Sequence, residues 1–161
     1  MKNLLSIRKA NYSDEEDILN WRNSQQSIRN SLGQKRINKL EHKEWFLRAI
    51  KSNNDHYYIA ILKNEKIGIV SFQLNKNKNF FVSINLNPKY RNKKLGTKLL
   101  LLTQKKREIR EKKNLIFARI KSNNIASLKT FNKANFRLFR KYQNYLLLCC
   151  KINYSKIHEK R

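Results

Sequence analysis

The amino-acid sequence predicts a mixed α/β domain in which helices pack on a single sheet. The predicted elements follow the order β α α β β β α β α β β, with antiparallel strands first and a helical crossover in the middle. A chain of 161 residues suits one domain, and 40% hydrophobic residues are enough for a buried core. The longest apolar run, residues 145–150, is far shorter than the roughly 18 to 20 residues of a membrane helix.

The N-terminal third contains one predicted strand and two predicted helices. Ser13 is a suitable N-cap for the first helix, because Glu16 follows three residues later and the acidic run stabilises a helix N-terminus. In the second helix, Leu40, Leu47 and Ile50 recur at roughly helical spacing. The predicted elements are a strand at 4–10, a helix at 13–23, a polar and irregular stretch at 25–38, and a helix at 39–52.

The rest of the chain contains six predicted strands and two further helices. Leu95, Leu99 and Leu102 lie near one face of a long helix, and Asn123 or Asn124 is a suitable N-cap for the last one. The strands are predicted at 56–62, 67–74, 80–86, 114–120, 136–142 and 144–152, with helices from the loop after 86 to about Lys112 and at 123–134. Residues 1–152 are predicted to form the domain, and 153–161 a basic tail.

The net charge of +26 is distributed unevenly. Residues 1–80 carry 15 basic and 8 acidic residues, a net of +7, whereas residues 81–161 carry 22 and 3, a net of +19. Such a field attracts RNA, DNA or a phosphorylated cofactor. A genome rich in A and T would enrich Lys equally well without any such partner. Charge alone therefore does not identify a function.

The two cysteines are predicted to be small hydrophobic residues of a strand, and the N-terminus shows no export signal. Cys149 and Cys150 are neighbours on a predicted strand, where successive side chains point to opposite faces, so they are poorly placed to bond each other. No spacing typical of metal ligands is present, and no metal is predicted. The N-terminus has no apolar segment long enough for a signal peptide, and we expect a cytoplasmic protein.

The segment NPKYRNKKLGTKLL, residues 87–100, connects a predicted strand to the predicted long helix. A helix N-terminus presents unpaired main-chain N–H groups and the positive end of the helix dipole, which together favour an anion. Arg91, Lys93 and Lys94 add positive charge around it. The pattern Gly-x-x-x-x-Gly-Lys of a Walker loop is absent, as is a dinucleotide fingerprint.

Two motifs, together with the order of elements, resemble the GCN5-related N-acetyltransferase (GNAT) superfamily. Arg91 and Gly96 take the first and last positions of the family's acetyl-CoA motif, which reads Arg or Gln, two residues, Gly, any residue, Gly or Ala. Residues 123–136, NNIASLKTFNKANF, resemble its second cofactor motif. The resemblance implies a GNAT fold of about seven strands and about four helices. It also implies transfer of an acetyl group from acetyl-CoA to a primary amine.

The resemblance assigns the cofactor to the strand before the loop and to the loop itself. In this family that strand splays from its neighbour and bonds the pantetheine, while loop N–H groups wrap the pyrophosphate. Carried over, the main chain near Leu86 would meet the pantetheine, and Asn124 would lie near it. The implied cofactor-binding residues are Leu86, Arg91, Asn92, Lys93, Lys94, Leu95, Gly96, Thr97, Asn124, Ser127 and Phe131.

Two positions lack the expected glycine. Lys94 stands where the first loop glycine is expected, which we expect to be tolerable only if the backbone there avoids positive φ. Asn135 replaces a glycine of the second motif, a milder change because Asn tolerates the left-handed region well.

Two further departures bear on the chemistry. Phe131 occupies the position of a Tyr that protonates the departing thiolate in many members, and Phe81 the position of a Glu base. The hydroxyl of Tyr142 or Tyr145 could replace the acid, as could solvent.

Residues 18–23, ILNWRN, are followed by residues 40–46, LEHKEWF. This pair resembles the sugar-nucleotide branch of the superfamily, including the N-acetyltransferase of pseudaminic acid synthesis, which acetylates a 4-amino-sugar on UDP. By this resemblance Trp21 could stack on a sugar or base, Arg22 could pair with a diphosphate and Asn23 could bond sugar hydroxyls. His42 and Glu41 are the candidate bases. The alternatives are a core position for the tryptophan, helix-closing roles for Arg22 and Asn23, and an exposed helical histidine.

Two other functions remain open from the sequence. One is acetylation of ribosomal-protein N-termini, which would explain a basic surface. For this function the acceptor site should be an open groove, whereas a closed pocket would favour a sugar nucleotide. The other is a GNAT fold that has lost catalysis and binds nucleic acid without sequence preference, with a steep salt dependence. The basic residues of the long helix alternate with leucines as on an ordinary solvated helix face, which disfavours this last function.

Overall fold

The computed structural model describes residues 5–110 and 115–151, and it contains one seven-stranded sheet in the order β1-β2-β3-β4-β5-β7-β6. This confirms the predicted fold class. The strands are β1 Ser6–Lys9, β2 His56–Leu62, β3 Glu65–Leu74, β4 Phe80–Leu86, β5 Leu115–Lys121, β6 Arg137–Lys141 and β7 Tyr145–Lys151. The predicted tail at 153–161 and the predicted element ends at residues 4, 112, 114 and 152 lie outside the described residues.

The described residues form six α-helices, two more than predicted. They are α1 Glu15–Arg22, α2 Gln25–Asn30, α3 Lys39–Ala49, α4 Leu95–Gln104, α5 Arg107–Arg110 and α6 Ile125–Lys133. The prediction of an irregular stretch was wrong for α2. None of its residues is buried, so it has no apolar stripe that a sequence pattern could reveal.

The long helix predicted after the loop is interrupted between α4 and α5. Thr103, which is fully buried, donates its hydroxyl to the carbonyl of Leu99 at 2.8 Å and also lies 3.1 Å from that of Leu100. A threonine that bonds back to the preceding turn tends to bend a helix. The single long helix was therefore a wrong prediction, although its apolar face lies in the core as expected.

One pair of neighbouring strands is hardly joined. β4 and β5 run parallel and pair only where Phe80 and Phe81 meet Ile116 and Phe117. All other pairs are antiparallel and run over most of their lengths. Beyond those two pairs the remaining residues of β4 and β5 diverge, and we call the gap between them the wedge.

Helices cover the two faces of the sheet unequally. α4, α5 and α6 pack on one face in a large core cluster with residues of β2 to β5 and β7. On the other face, α1 and α3 form a smaller cluster whose buried strand residues, Tyr57, Ile59 and Ile69, come from β2 and β3 alone. The part of this second face made by β4 to β7 lies outside both clusters. We call it the open face; its central residues are Phe81, Ser83, Asn85, Phe117 and Arg119.

Candidate active site

The wall of the wedge formed by β4 presents main-chain hydrogen-bonding groups. The N–H of Asn87 donates to the carbonyl of Ile67 at 2.9 Å, which makes this a hydrogen-bonded pair of the β3–β4 ladder. Because such pairs alternate along an antiparallel ladder, the N–H and C=O groups of Ile84 and Leu86 point the other way, toward β5. The Leu86 carbonyl is bonded to the Arg91 guanidinium, so the wedge offers an extended ligand the N–H and C=O groups of Ile84 and the N–H of Leu86.

The loop between β4 and α4 turns through two left-handed residues. Asn92 has φ 60° and Lys94 has φ 56°, and neither is a glycine. The expectation that the backbone would avoid positive φ at Lys94 was therefore wrong: the chain keeps the glycine-like turn with a lysine in it. For a residue with a Cβ this costs roughly 1–2 kcal/mol.

The N-terminus of α4 is left without a side-chain cap. Lys94 is the N-cap residue, and its side chain makes no capping hydrogen bond. Lys93 and Lys94 are exposed, and the Lys93 ammonium lies 4.9 Å from the centre of the Tyr90 ring. First-turn N–H groups with no internal partner and two nearby ammonium groups form a site suited to a phosphate.

Gly96 lets α4 approach α6 and β4 closely. A Cβ at this position would lie 2.9 Å from the Thr130 methyl carbon and 3.7 Å from Ile84 Cδ1. Next to it, Thr97 donates its hydroxyl to the Thr130 carbonyl at 3.3 Å. Leu95 is buried in the main core. The start of α4, where the loop ends, is thus anchored to the core and to α6.

The structure turns Arg91 inward rather than toward the outer side of the loop. Its guanidinium donates to the Leu86 carbonyl at 3.0 and 3.1 Å, and to the hydroxyls of Ser24 and Ser27 at 2.9 and 2.8 Å. Burial lowers the pKa of Arg91, but a guanidinium remains a cation at neutral pH. Arg91 therefore joins the loop to β4 and to α2, and the charges at the loop surface are those of Lys93 and Lys94.

The second motif shapes the start and end of α6. Asn124 caps the helix by accepting from the Ser127 N–H at 3.2 Å, which settles the predicted choice between two asparagines. Asn135 has φ 69°, confirming that Asn takes the place of the glycine. Phe131 is 3% exposed and meets Phe136 edge to face at 5.0 Å, so its ring belongs to the core.

The residues predicted to bind the acceptor are used differently from one another. Trp21 is 5% exposed and lies in the smaller core cluster, which confirms the alternative prediction of a core position. Asn23 donates to the Ile37 carbonyl at 2.9 Å and accepts from the Ile37 N–H at 2.8 Å, so it holds the segment before α3. The Arg22 guanidinium lies 5.2 Å from the centre of the Trp45 ring.

His42 is 1% exposed, so the alternative of an exposed histidine was wrong. Its Nδ1 lies 2.8 Å from a carboxylate oxygen of Glu15, and its Nε2 is buried without a hydrogen-bond partner among the described residues. It lines a cavity of about 240 Å³ together with Arg22, Ile37, Glu41 and Trp45. Glu41 itself is exposed. The structure therefore brings the two candidate bases and Arg22 to one cavity.

α2, which the sequence analysis missed, bridges the two arms of the wedge. The Ser27 hydroxyl lies 3.1 Å from the Asn85 side-chain oxygen on β4, and the Lys121 ammonium on β5 donates to the Arg29 carbonyl at 3.0 Å. Tyr145 is the cross-strand partner of Lys121 and stacks on Tyr142 at 4.5 Å. Both tyrosines therefore lie at the same end of the sheet as the mouth of the wedge.

The open face carries an aromatic cluster that reaches the narrow end of the wedge. Phe81 and Phe117 stack at 5.7 Å, and Phe139 meets Phe117 edge to face at 5.2 Å. The Arg119 guanidinium carbon lies 4.4 Å from the centre of the Phe81 ring, so this β5 side chain reaches across to β4. Phe81 stood out in the sequence only as a missing base, and its packing partners could not be read there.

The comparisons with known proteins agree with this geometry. Among solved structures, a putative phosphinothricin N-acetyltransferase superposes with a TM-score of 0.77 at 23% identity, covering 93% of this chain and 99% of that one. The Vibrio cholerae spermidine N-acetyltransferase in complex with CoA and spermine gives 0.77 at 14% identity, covering 92% and 95%. The aminoglycoside acetyltransferase AAC(6')-Ib with coenzyme A and kanamycin gives 0.75 at 16%, covering 92% and 95%. These likenesses establish the fold.

The remaining comparisons concern the sequence itself. No match was found among curated proteins. In the part of the chain that the structure describes, no group of His, Cys, Asp and Glu could hold a metal ion, and no helix could span a membrane. The family described as acetyltransferase (GNAT) domain matches residues 5–137. The chain therefore belongs to the GNAT acetyltransferase family and is an acyltransferase.

Proposed function

We propose that the protein transfers an acetyl group from acetyl-CoA to a primary amine. The wedge is the observation that carries this proposal. Its β4 wall offers the N–H and C=O groups of Ile84 and the N–H of Leu86 to a pantetheine arm, and it opens beside the uncapped N-terminus of α4. The pyrophosphate would then lie on the N–H groups from Asn92 to Thr97, with Lys93 and Lys94 at its edge.

The reaction requires little of the protein. A neutral amine attacks the thioester carbonyl, a C–N bond forms, and the C–S bond of the tetrahedral intermediate breaks to release the CoA thiolate. Main-chain N–H groups in the wedge would stabilise the oxyanion. Because Phe131 is a buried hydrocarbon, the thiolate takes its proton from solvent or from Tyr145, whose strand reaches the mouth of the wedge.

For the acceptor side, we infer that the cavity lined by Arg22 and His42 contributes to binding and to proton removal. His42 lines that cavity, its buried Nε2 has no hydrogen-bond partner among the described residues, and Glu15 holds the opposite ring nitrogen. A histidine oriented in this way is suited to act as a general base. Glu41, exposed on the same helix, is the second candidate.

The proposed acceptor is a nucleotide-linked amino-sugar. A partly enclosed cavity with a cation and an aromatic ring supports this choice over the open groove expected for a peptide N-terminus. In this arrangement Arg22 pairs with phosphate and Trp45 offers a ring face. Trp21 and Asn23 act indirectly, the first by packing α1 and the second by holding the segment before α3.

Calorimetric titration with acetyl-CoA at about 0.15 M salt tests the proposal. The wild type should bind, and Gly96→Asp should not, because its carboxylate would meet both Thr130 and the incoming phosphates. Gly33→Asp is the matched control, since a side chain there meets nothing within 4 Å. It should bind like the wild type. Equal binding by Gly96→Asp, or none by the wild type, would contradict a cofactor site in the wedge.

Because Gly96→Asp introduces a steric conflict, a milder variant accompanies it. Replacing both Lys93 and Lys94 with Gln leaves the packing of the loop intact, as both side chains are exposed. We expect this variant to bind acetyl-CoA about tenfold or more weakly, because charged hydrogen bonds contribute roughly 1.5–3 kcal/mol. Circular dichroism of each variant shows whether a loss of binding reflects a loss of fold.

A further inference from the structure

The open face beyond the wedge has a charge that bears on the choice of acceptor. The sequence contains no Asp or Glu at residues 66–107 or 112–158, which include all of β4 to β7. Carboxylates are the side chains that pair most strongly with an ammonium group or polyamine, and these four strands supply none. The same strands place arginines on the open face.

Two arginines lie in one row across this face. Arg119 on β5 and Arg140 on β6 are both cross-strand partners of Leu147 on β7, so all three side chains share the open face. Both arginines are exposed. Adjacent strands are about 4.8 Å apart, which places the two arginines roughly 10 Å apart at their α-carbons.

An aromatic surface borders this row. Phe139, on the bulged part of β6, is 58% exposed and rests against Phe117, which stacks on Phe81. Exposed aromatic rings beside arginines can hold a planar base or the apolar face of a sugar. Arg119 lies over the Phe81 ring at the narrow end of the wedge, so a phosphate held there would lie beside the wedge.

We propose that the Arg119–Arg140 row and the exposed Phe139 ring, which rests on the Phe117–Phe81 pair, form a binding site for the phosphate and ring of an anionic, nucleotide-type acceptor. This rests on the proposed function and adds to it a second anchoring surface, separate from the helical cavity. The site excludes polycationic amines, because its arginines repel them and it has no carboxylate to hold them. In this respect it differs from what would suit kanamycin or spermine.

The test uses UDP as the probe, titrated into protein saturated with CoA at about 0.15 M salt so that the cofactor site is already filled. UDP should bind the wild type, and uridine, which lacks phosphates, should bind at least about tenfold more weakly. Spermine and kanamycin should not bind. Failure of UDP to bind the CoA complex, or tighter binding of spermine, would overturn the proposal.

Variants locate the binding. Arg119→Gln should weaken UDP binding about tenfold or more while leaving CoA affinity unchanged. Arg48→Gln, at the exposed end of α3, removes the same charge elsewhere and should leave UDP affinity unchanged. Phe139→Ser, on an exposed edge, should weaken UDP binding without loss of fold. Unchanged UDP affinity in Arg119→Gln, or an equal loss in Arg48→Gln, would contradict the site.

The two proposals fail in different ways. If the wild type does not bind CoA, the acetyltransferase proposal fails, and UDP titrated into the free protein still tests the anion site. If CoA binds and UDP does not, this inference fails together with the proposed nucleotide-linked acceptor, and the acetyltransferase proposal stands. An acidic peptide that binds the CoA complex more tightly than UDP would also overturn it, in favour of a protein acceptor.

Discussion

Asp14 is the most heavily bonded carboxylate in the described part of the chain. It accepts from both terminal nitrogens of Arg8 at 2.7 Å, from the Asn11 N–H at 2.9 Å and from Lys66 at 2.9 Å, and it is fully buried. Burial would raise the pKa of Asp14, but these hydrogen bonds outweigh it and lower that pKa to about 2. The residue thereby joins β1, the start of α1 and β3.

This pKa predicts a loss of stability in acid. A carboxyl whose folded pKa lies below its unfolded value stabilises the fold above the unfolded pKa, near 4, and loses that contribution as pH falls toward 2. Urea denaturation should show the wild type losing about 2 kcal/mol more than Asp14→Asn between pH 5 and pH 2. Parallel pH profiles of the two proteins would contradict the assignment.

Lys94 supports a second prediction at this scale. Because it adopts φ 56°, Lys94→Gly should raise the free energy of unfolding by about 0.5–1 kcal/mol, the left-handed cost less the greater chain entropy of glycine. Lys93→Gly is the matched control, since Lys93 is not among the positive-φ residues, and it should be destabilising. Urea denaturation curves measure both. A destabilised Lys94→Gly would show that the lysine conformation is not strained.

His42 gives the third prediction. His42→Gln should lower kcat/KM for the acceptor by roughly 10²-fold or more, the usual effect of removing a general base, while acetyl-CoA affinity stays unchanged. Glu15→Gln should produce a smaller loss, because it removes only the group that orients the ring. Glu41→Gln is the control on the same helix. If activity falls in Glu41→Gln but not in His42→Gln, Glu41 rather than His42 is the general base.

At the scale of elements, Arg91 connects β4, the loop and α2. Arg91→Met keeps an apolar stem but removes all of its donors, leaving the Leu86 carbonyl and two serine hydroxyls without their partner. We expect a loss of about 2–4 kcal/mol in the free energy of unfolding and weaker acetyl-CoA binding. Arg29→Met, on the exposed side of α2, is the control. An unchanged stability of Arg91→Met would show that α2 needs no such link.

The elements also show what could be predicted from the sequence. Apolar spacing predicted all seven strands, and the two motifs predicted the loop and the cap of α6, because these depend on neighbours along the chain. α2, the inward turn of Arg91 and the burial of His42 depend on contacts between residues far apart in sequence. The break after Gln104 had a local cause in Thr103, but a threonine within a leucine-rich run is not by itself a stop signal.

For the whole molecule, the prediction concerns ligand-dependent stability. A ligand that binds only the folded state stabilises it by about 2.7 kcal/mol at a hundred times its Kd. Saturating acetyl-CoA should therefore raise Tm by roughly 5–10 °C for a domain of this size. Inorganic pyrophosphate at the same ionic strength should produce a smaller shift, and Gly96→Asp should show none with acetyl-CoA. Equal shifts with both ligands would indicate generic attraction to a chain of net charge +26.

The short pairing between β4 and β5 has a kinetic consequence. The sheet consists of two halves. One contains β1, β2, β3 and β4, and the other contains β5, β7 and β6. Among the described residues, the two halves pair through two residue pairs only. The open face crosses the junction between the halves, with Phe81 on one half and Phe117 on the other. A cofactor lying in the wedge would fix the angle between the halves, and so the spacing across the open face, where we propose that the acceptor binds. Catalysis should accordingly follow a compulsory order, with the acetyl donor entering first and CoA leaving last.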